Sequence, residues 1–217
     1  MSDLPQKCSH KQESVEEPPL NVLSNQEIYM KLDKKFPVSI GNSIAWDSNH
    51  IYGEVVYSTL YEILTSLSTK GLIPNGAVFY DLGSGIGKAV VAAALIHGFS
   101  KCCGIELLPD LYRISLELRE KYEMVLKKYG KIGDGAALEF YNADILESDW
   151  RDCDVFFINS TCFDEDFMTQ ISNFPLKPGT IAISTSKRLN KSQWTLIETS
   201  KRQMSWGSAT VFIHRKK

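Results

Sequence analysis

The chain has 217 residues, 43% hydrophobic and 23% charged, with a formal net charge of −2. That balance predicts one soluble α/β domain with a full core, and no apolar run approaches the roughly 20 residues a bilayer span needs. The near-neutral charge argues against broad, charge-driven nucleic-acid binding, the polar start against a signal peptide, and the scattered histidines and unpaired cysteine spacing against a metal site.

In chain order, residues 1–22 lack periodicity and carry Pro5, Pro18 and Pro19, which predicts a flexible extension before a folded domain over 23–217. Ser24-Asn25-Gln26-Glu27 is a capping box that opens a helix to about Phe36, and Pro37 stops it. Ile40 to Glu54 reads as a polar loop with Trp46, Asp47, His50, Tyr52 and Gly53. It is either a lid over a ligand or a set of loop aromatics packed on the core. From Glu54 the spacing of Val56, Leu60, Ile63, Leu64 and Leu67 predicts a helix closed by Gly71, and Pro74-Asn75-Gly76 turns the chain into a strand.

That strand, Val78 to Leu82, carries Asp81 and runs into Gly83-Ser84-Gly85-Ile86-Gly87-Lys88 and a helix to His97. A strand, a glycine-rich turn and a helix form the first unit of a nucleotide-binding α/β domain. The spacing is G-x-G-x-G, without the wider gap of the dinucleotide motif. With Asp81 at the strand tip it suits S-adenosylmethionine (SAM), which has no phosphate and presents a cationic amino-acid end to the acid. Lys101 to Glu106 is the next strand, and Glu106 stands close to the roughly 20-residue spacing at which an acid accepts the ribose hydroxyls. Cys102 and Cys103 within it read as small buried hydrophobes in a reducing compartment.

Pro109 to Tyr129 predicts a long helix with proline in its first turn, and Gly130, Gly133 and Gly135 a loop before a strand over Ala137 to Tyr141. Asp144, beside Ile145, follows that strand and either meets the adenine amino group or serves as a turn residue. Asp154 to Asn159 is an apolar run suited to the buried centre of a parallel sheet. Asn159 at its tip either faces the transferred methyl, its amide oxygen orienting the incoming amine, or caps a helix; Phe163 would wall a substrate channel. A helix over Asp164 to Asn173, a strand over Thr180 to Thr185, and a hairpin from Trp194 to Thr199 and Thr210 to His214 complete the chain.

Tyr52-Gly53-Glu54, Asp81 to Gly87, Gly104-Ile105-Glu106, Tyr129-Gly130-Lys131, Asp144 with Trp150, Phe156 to Asn159 with Phe163, and Ser205-Trp206 together make the sequence resemble the disruptor-of-telomeric-silencing family, the histone lysine methyltransferases without a SET domain. The resemblance implies a Rossmann-like, seven-stranded class I methyltransferase sheet with a helical N-terminal portion. It implies SAM held by Asp81, Gly83, Ser84, Gly85, Gly87, Lys88, Glu106, Asp144 and Ile145, with Tyr52 and Glu54 in a covering loop. Asn159, Tyr52 and Phe163 would form the catalytic group. The implied activity is methylation of a lysine in the core of histone H3 in the nucleosome, by a nuclear enzyme; the alternative acceptor is a non-histone lysine or a small molecule, and the alternative location is cytoplasmic. A monomer with no membrane attachment is expected. A silent SAM-fold binding module is disfavoured, since it need not keep both Glu106 and the glycine loop. The family pattern has glutamine where this chain has Lys88, and a channel tyrosine where it has Val211.

Overall fold

The computed structural model describes residues 23–47, 52–129 and 135–217. The extension assigned to 1–22, His50, Gly130, Lys131 and Gly133 lie outside the described residues, as do the side chains of Trp46 and Asp47. Among the described residues one sheet holds β1 (Val78–Leu82), β2 (Lys101–Glu106), β3 (Ala137–Asn142), β4 (Val155–Ile158), β5 (Ile181–Thr185), β6 (Trp194–Met204) and β7 (Gly207–Lys216). Their order is β3-β2-β1-β4-β5-β7-β6. The five strands from β3 to β5 are parallel, and β7 lies antiparallel between β5 and β6.

The helices are α1 (Asn25–Lys35), α2 (Val38–Asp47), α3 (Tyr57–Thr69), α4 (Lys88–Ile96), α5 (Pro109–Lys128) and α6 (Glu165–Asn173). Side chains alternate across the central strands, as strand geometry requires. Phe79, Cys102, Val155 and Phe157 enter one core with α1, α3, α4 and α5. Tyr80, Cys103, Phe156 and Ile158 enter a second core with α6, Trp150 and Trp194. Because both faces are covered, the inner strands read as continuous apolar runs. Helix α4 is buried nearly all round, which its Ala/Val composition permits. No helix among the described residues is long and apolar enough to cross a membrane.

Most predicted boundaries hold within a residue or two. The Ser24–Glu27 capping box forms. Helix α3 ends with the Gly71 N–H on Ser68 O and the Leu72 N–H on Leu67 O, the Schellman pattern that the left-handed Gly71 allows. Three expectations need correction. Of the loop expected from Ile40 to Glu54, residues 40–47 are helical instead: Pro37 ends α1 but also starts α2, its carbonyl accepting the Ile40 N–H. Proline suits the start of a helix as well as its stop, since it lacks only an N–H that a first turn leaves unpaired anyway. Helix α3 begins at Tyr57 rather than Glu54, because Val55 bridges to Met204 in extended form. The hairpin strands are longer than the two apolar segments, because β6 is an edge strand whose polar, half-exposed face hides it from a search for apolar alternation.

Trp150 fixes the irregular connection between β3 and β4. It is 0% exposed, donates its indole N–H to Ile145 O at 3.0 Å and stacks on Phe174 with ring centroids 3.9 Å apart. Trp150→Ala is expected to cost about 3–5 kcal/mol through the cavity it leaves. Denaturant unfolding checks this, and a loss well under about 1 kcal/mol would show the connection to be held by other groups.

Candidate active site

Leaving β1, the chain builds outward through β2 and β3, then returns to build β4 and β5 on the other side. The strand order therefore reverses between β1 and β4, the point where open α/β sheets bind ligands at the carboxyl ends of their strands. A cavity of about 360 Å³ opens there. Of the predicted site residues, Tyr52, Glu54, Asp81, Gly83, Ser84, Gly85, Lys88, Glu106, Asp144, Ile145, Asn159 and Phe163 line it.

The floor is the glycine turn. The N–H groups of Gly83 and Ser84 bond Ile105 O at 2.9 and 3.0 Å, and Glu106 holds two more backbone donors, Gly85 N–H at 2.7 Å and Leu108 N–H at 2.9 Å. Gly83, Gly85 and Gly87 all have left-handed φ. At Gly85 a Cβ would stand 2.6 Å from the Tyr52 ring, so the covering aromatic requires glycine there. Gly87 differs from the expectation: it does not line the cavity but starts α4, and a Cβ on it would stand 2.6 Å from the Phe140 ring. Its smallness serves helix–strand packing. Ser84 offers backbone rather than hydroxyl to the site, since its Oγ is buried against Gly104 with no hydrogen-bond partner.

Two carboxylates are sunk in this floor, Asp81 at 4% and Glu106 at 8% exposed. Burial, then the nearby charge of Glu106, pushes the Asp81 carboxyl well above the usual carboxylate range. Such a pair repels a pyrophosphate and attracts a cation. The lining cation Lys88 does not neutralise it, because its Nζ contacts Asp33 Oδ1 and Glu54 Oε2 at 2.5 Å each. Beyond Glu106, Leu107, Leu108 and Leu111 add an apolar shelf to the lining. A cationic end over Asp81, ribose hydroxyls at Glu106 and a flat base against the leucines is the shape of SAM, and these residues fit it.

The cover comes from the 52–54 loop. Tyr52 donates its hydroxyl to Glu54 Oε1 at 2.7 Å; burial first, then the Glu54 charge, holds the phenol protonated, far above its usual range. The turn between β6 and β7 clasps the loop from outside. Glu54 N–H donates to Ser205 Oγ at 2.9 Å, Ser205 N–H donates to Glu54 O at 3.0 Å, and the Trp206 ring lies over Gly53. Val211, where the resemblance places a channel tyrosine, is instead fully buried in β7.

At the tip of β4, Asn159 caps no helix; the N-cap of α6 is Asp164. Its Nδ2 donates to Gly53 O at 3.2 Å, while its Oδ1 accepts from Thr185 Oγ1 at 2.7 Å and Thr161 Oγ1 at 2.9 Å. A carbonyl can only accept, so Gly53 fixes which end of the amide is nitrogen. This corrects the oxygen role expected from sequence: both lone pairs of Oδ1 are taken by hydroxyls, and Asn159 is left with a second N–H. Phe163 lines the cavity and stacks on Phe167 with centroids 4.4 Å apart. Asp144 lines the cavity, and its Oδ1 accepts the Leu146 N–H at 2.8 Å in a turn, the second of the two roles expected of it.

Sequence reasoning missed the leucine shelf, Ala45, Phe157, Cys162 and Phe167, which also line the cavity, and Thr185 behind Asn159. Leu107 and Leu108 were findable, since they follow an acid at a strand end. Nothing in the sequence marks Thr185 or Ala45.

Residues 42–211 match the family described as "Histone methylation protein DOT1". A "Histone-lysine N-methyltransferase, H3 lysine-79 specific" of Dictyostelium discoideum is 32% identical over 145 residues, 63% of this chain and 8% of that protein. A protein of the same description from Debaryomyces hansenii is 33% identical over 144 residues, 62% of this chain and 12% of that one. The chain thus spans a small part of these relatives. Among solved structures, magnesium protoporphyrin IX methyltransferase from Synechocystis PCC 6803 superposes with a TM-score of 0.55 at 13% identity, covering 85% of this chain and 100% of that one. An RNA methyltransferase from Salinibacter ruber, in complex with S-adenosyl-L-homocysteine, gives 0.50 at 24% identity, covering 71% and 89%. At these identities the structures speak for the fold.

A cation bound over Asp81 favours its ionised form, so the bound carboxyl titrates lower than the free one and binding releases a proton. SAM affinity is therefore expected to rise with pH from about 4 through the raised Asp81 value, and Asp81→Asn to flatten that rise. Calorimetric titration across pH checks it; an affinity independent of pH in the parent protein would remove Asp81 from the cationic end.

Proposed function

The chain belongs to the DOT1 histone methylation family, and from that premise we propose that it transfers a methyl group from SAM to a lysine side chain of histone H3, the residue-79 region being the target that its relatives' descriptions name. The observation that carries this reading is the make-up of one cavity, which is lined both by the buried acids Asp81 and Glu106 and by Asn159 with the Phe163–Phe167 pair. The acids suit a cationic cofactor, and the aromatic pair suits the apolar stem of an alkylamine.

Bound SAM supplies a methyl carbon made electrophilic by its positively charged sulfur. The chain's own residues do the rest by placement. Asp81 and Glu106 hold the charged and ribose portions, and Tyr52 over Gly85 shuts the cavity from one side. A lysine must lose its proton before it can attack, against an ordinary pKa of about 10.4. Phe163 and Phe167 oppose the ammonium form by desolvation, which lowers that value. Asn159 is clamped by Thr185, Thr161 and Gly53, so its remaining N–H is held in one direction and brings neither charge nor nucleophile to the site. Alignment supplies most of the acceleration, and a clamped amide contributes by holding the approach fixed.

Incubation with labelled SAM tests the reading against nucleosomes, free histones and cell lysate. Label on histone H3 supports it. Label confined to another lysate component would overturn the substrate, and binding without transfer to anything would overturn the activity. Asn159→Ala is expected to lower turnover by about 10²-fold while changing SAM affinity only a few fold, the pattern of a group used in the transition state. Turnover within a few fold of the parent would remove Asn159 from the reacting end.

A further inference from the structure

Lys88 occupies an unfavourable place for a lysine. It is the first residue of α4, where the helix dipole is positive, and its side chain is 6% exposed. A cation there needs partners, and it takes them from two distant segments. Asp33 Oδ1 reaches it from the last turn of α1, and Glu54 Oε2 from the covering loop. The Glu54 side chain is itself only 10% exposed. Its other oxygen accepts the Tyr52 hydroxyl, and the Tyr52 ring rests on Gly85. Gly85 stands three residues before Lys88 in the same turn, so the contacts close a ring: Lys88, Glu54, Tyr52, Gly85 and back. The two carboxylates remove the electrostatic penalty of the buried ammonium, and the ammonium does the same for Glu54.

We propose that Lys88 is a positioning residue, a latch whose ammonium holds the 52–54 loop down over the glycine turn and ties α1 to it, and so sets how long the cofactor stays bound. Two of its three donors are committed to carboxylates, which sets it apart from a direct cofactor ligand. The inference rests on the SAM-dependent reading of the cavity and assigns the helical N-terminal portion a part in it. Without the Lys88 ammonium the loop would keep the Ser205 clasp and the Asn159 bond to Gly53, but Glu54, and through it the Tyr52 hydroxyl, would lose the tie to the glycine turn.

The test uses the full chain and two readouts, amide hydrogen exchange over residues 52–55 and the rate at which S-adenosylhomocysteine dissociates. Lys88→Met is expected to raise both by roughly tenfold or more, the scale of a lost charge-assisted hydrogen bond, while amides of β1 and β4 exchange at the parent rate. Asp33→Asn, at a half-exposed site that tolerates change, is expected to raise both by about threefold and covers the case in which Lys88→Met does not fold. Parent-like loop exchange and dissociation in Lys88→Met would overturn the latch, and so would a parent-like Asp33→Asn if it alone folds. Uniformly faster exchange in the loop and strands alike would show Lys88 to be merely structural and overturn it too. A parent protein that fails to bind S-adenosylhomocysteine would instead defeat the cofactor reading, leaving the exchange comparison to judge the latch by itself.

Discussion

The site depends first on the two backbone donors that Glu106 accepts. Its carboxylate takes the N–H of Gly85 from the turn after β1 and the N–H of Leu108 from the start of α5. One side chain therefore fixes the loops at the ends of two adjacent parallel strands. The left-handed glycines give the turn its shape, but their freedom alone would leave it mobile, since glycine costs more entropy to order than any other residue. A charged acceptor is suited to hold it, because hydrogen bonds to an ionised group are about twice as strong as neutral ones.

Placing that carboxylate beside Asp81 has an electrostatic consequence. Burial first, and then the neighbouring Glu106 charge, drives the Asp81 carboxyl upward. The strain is relieved by a bound cation and worsened by a bound phosphate. Electrostatics thus decides between the two ligand classes that a glycine-rich turn can serve. The preference follows from the acids, not from the glycines.

The remaining side of the cavity is assembled from pieces far apart in sequence. Helix α2 lays Gly41 against the Tyr52 ring, α1 lends Asp33 to Lys88, and the β6–β7 turn clasps Glu54 through Ser205. Asn159 joins the same assembly by donating to Gly53 O while Thr185, at the end of β5, orders its oxygen. The covering loop is therefore held by contacts from the N-terminal helices, from α4, from two strand tips and from the hairpin. Substitutions at any of these places act on one loop, so their effects should not be independent.

The sequence by itself determined the local units: the capping box at Ser24, the Gly71 termination, the five parallel strands with their apolar runs, and the acids at the ends of β1, β2 and β3. Each of these is set by interactions within a few residues, or by a burial pattern with a fixed period, and both are written directly in the order of side chains. It also carried Tyr52-Gly53-Glu54 and Ser205-Trp206 among the stretches of the family resemblance, without a reason for their occurring together. Only the tertiary structure supplied that reason, since Glu54 and Ser205 meet across 151 positions. It likewise decided that Gly87 faces Phe140 rather than the cavity, that the Asn159 oxygen is already occupied, and that Lys88 is paired with Asp33 and Glu54. A side chain's residue type limits what bonds it can make, but its partner is fixed by which segments the sheet brings to one edge. That information lies in the whole chain's packing and in no local stretch of it.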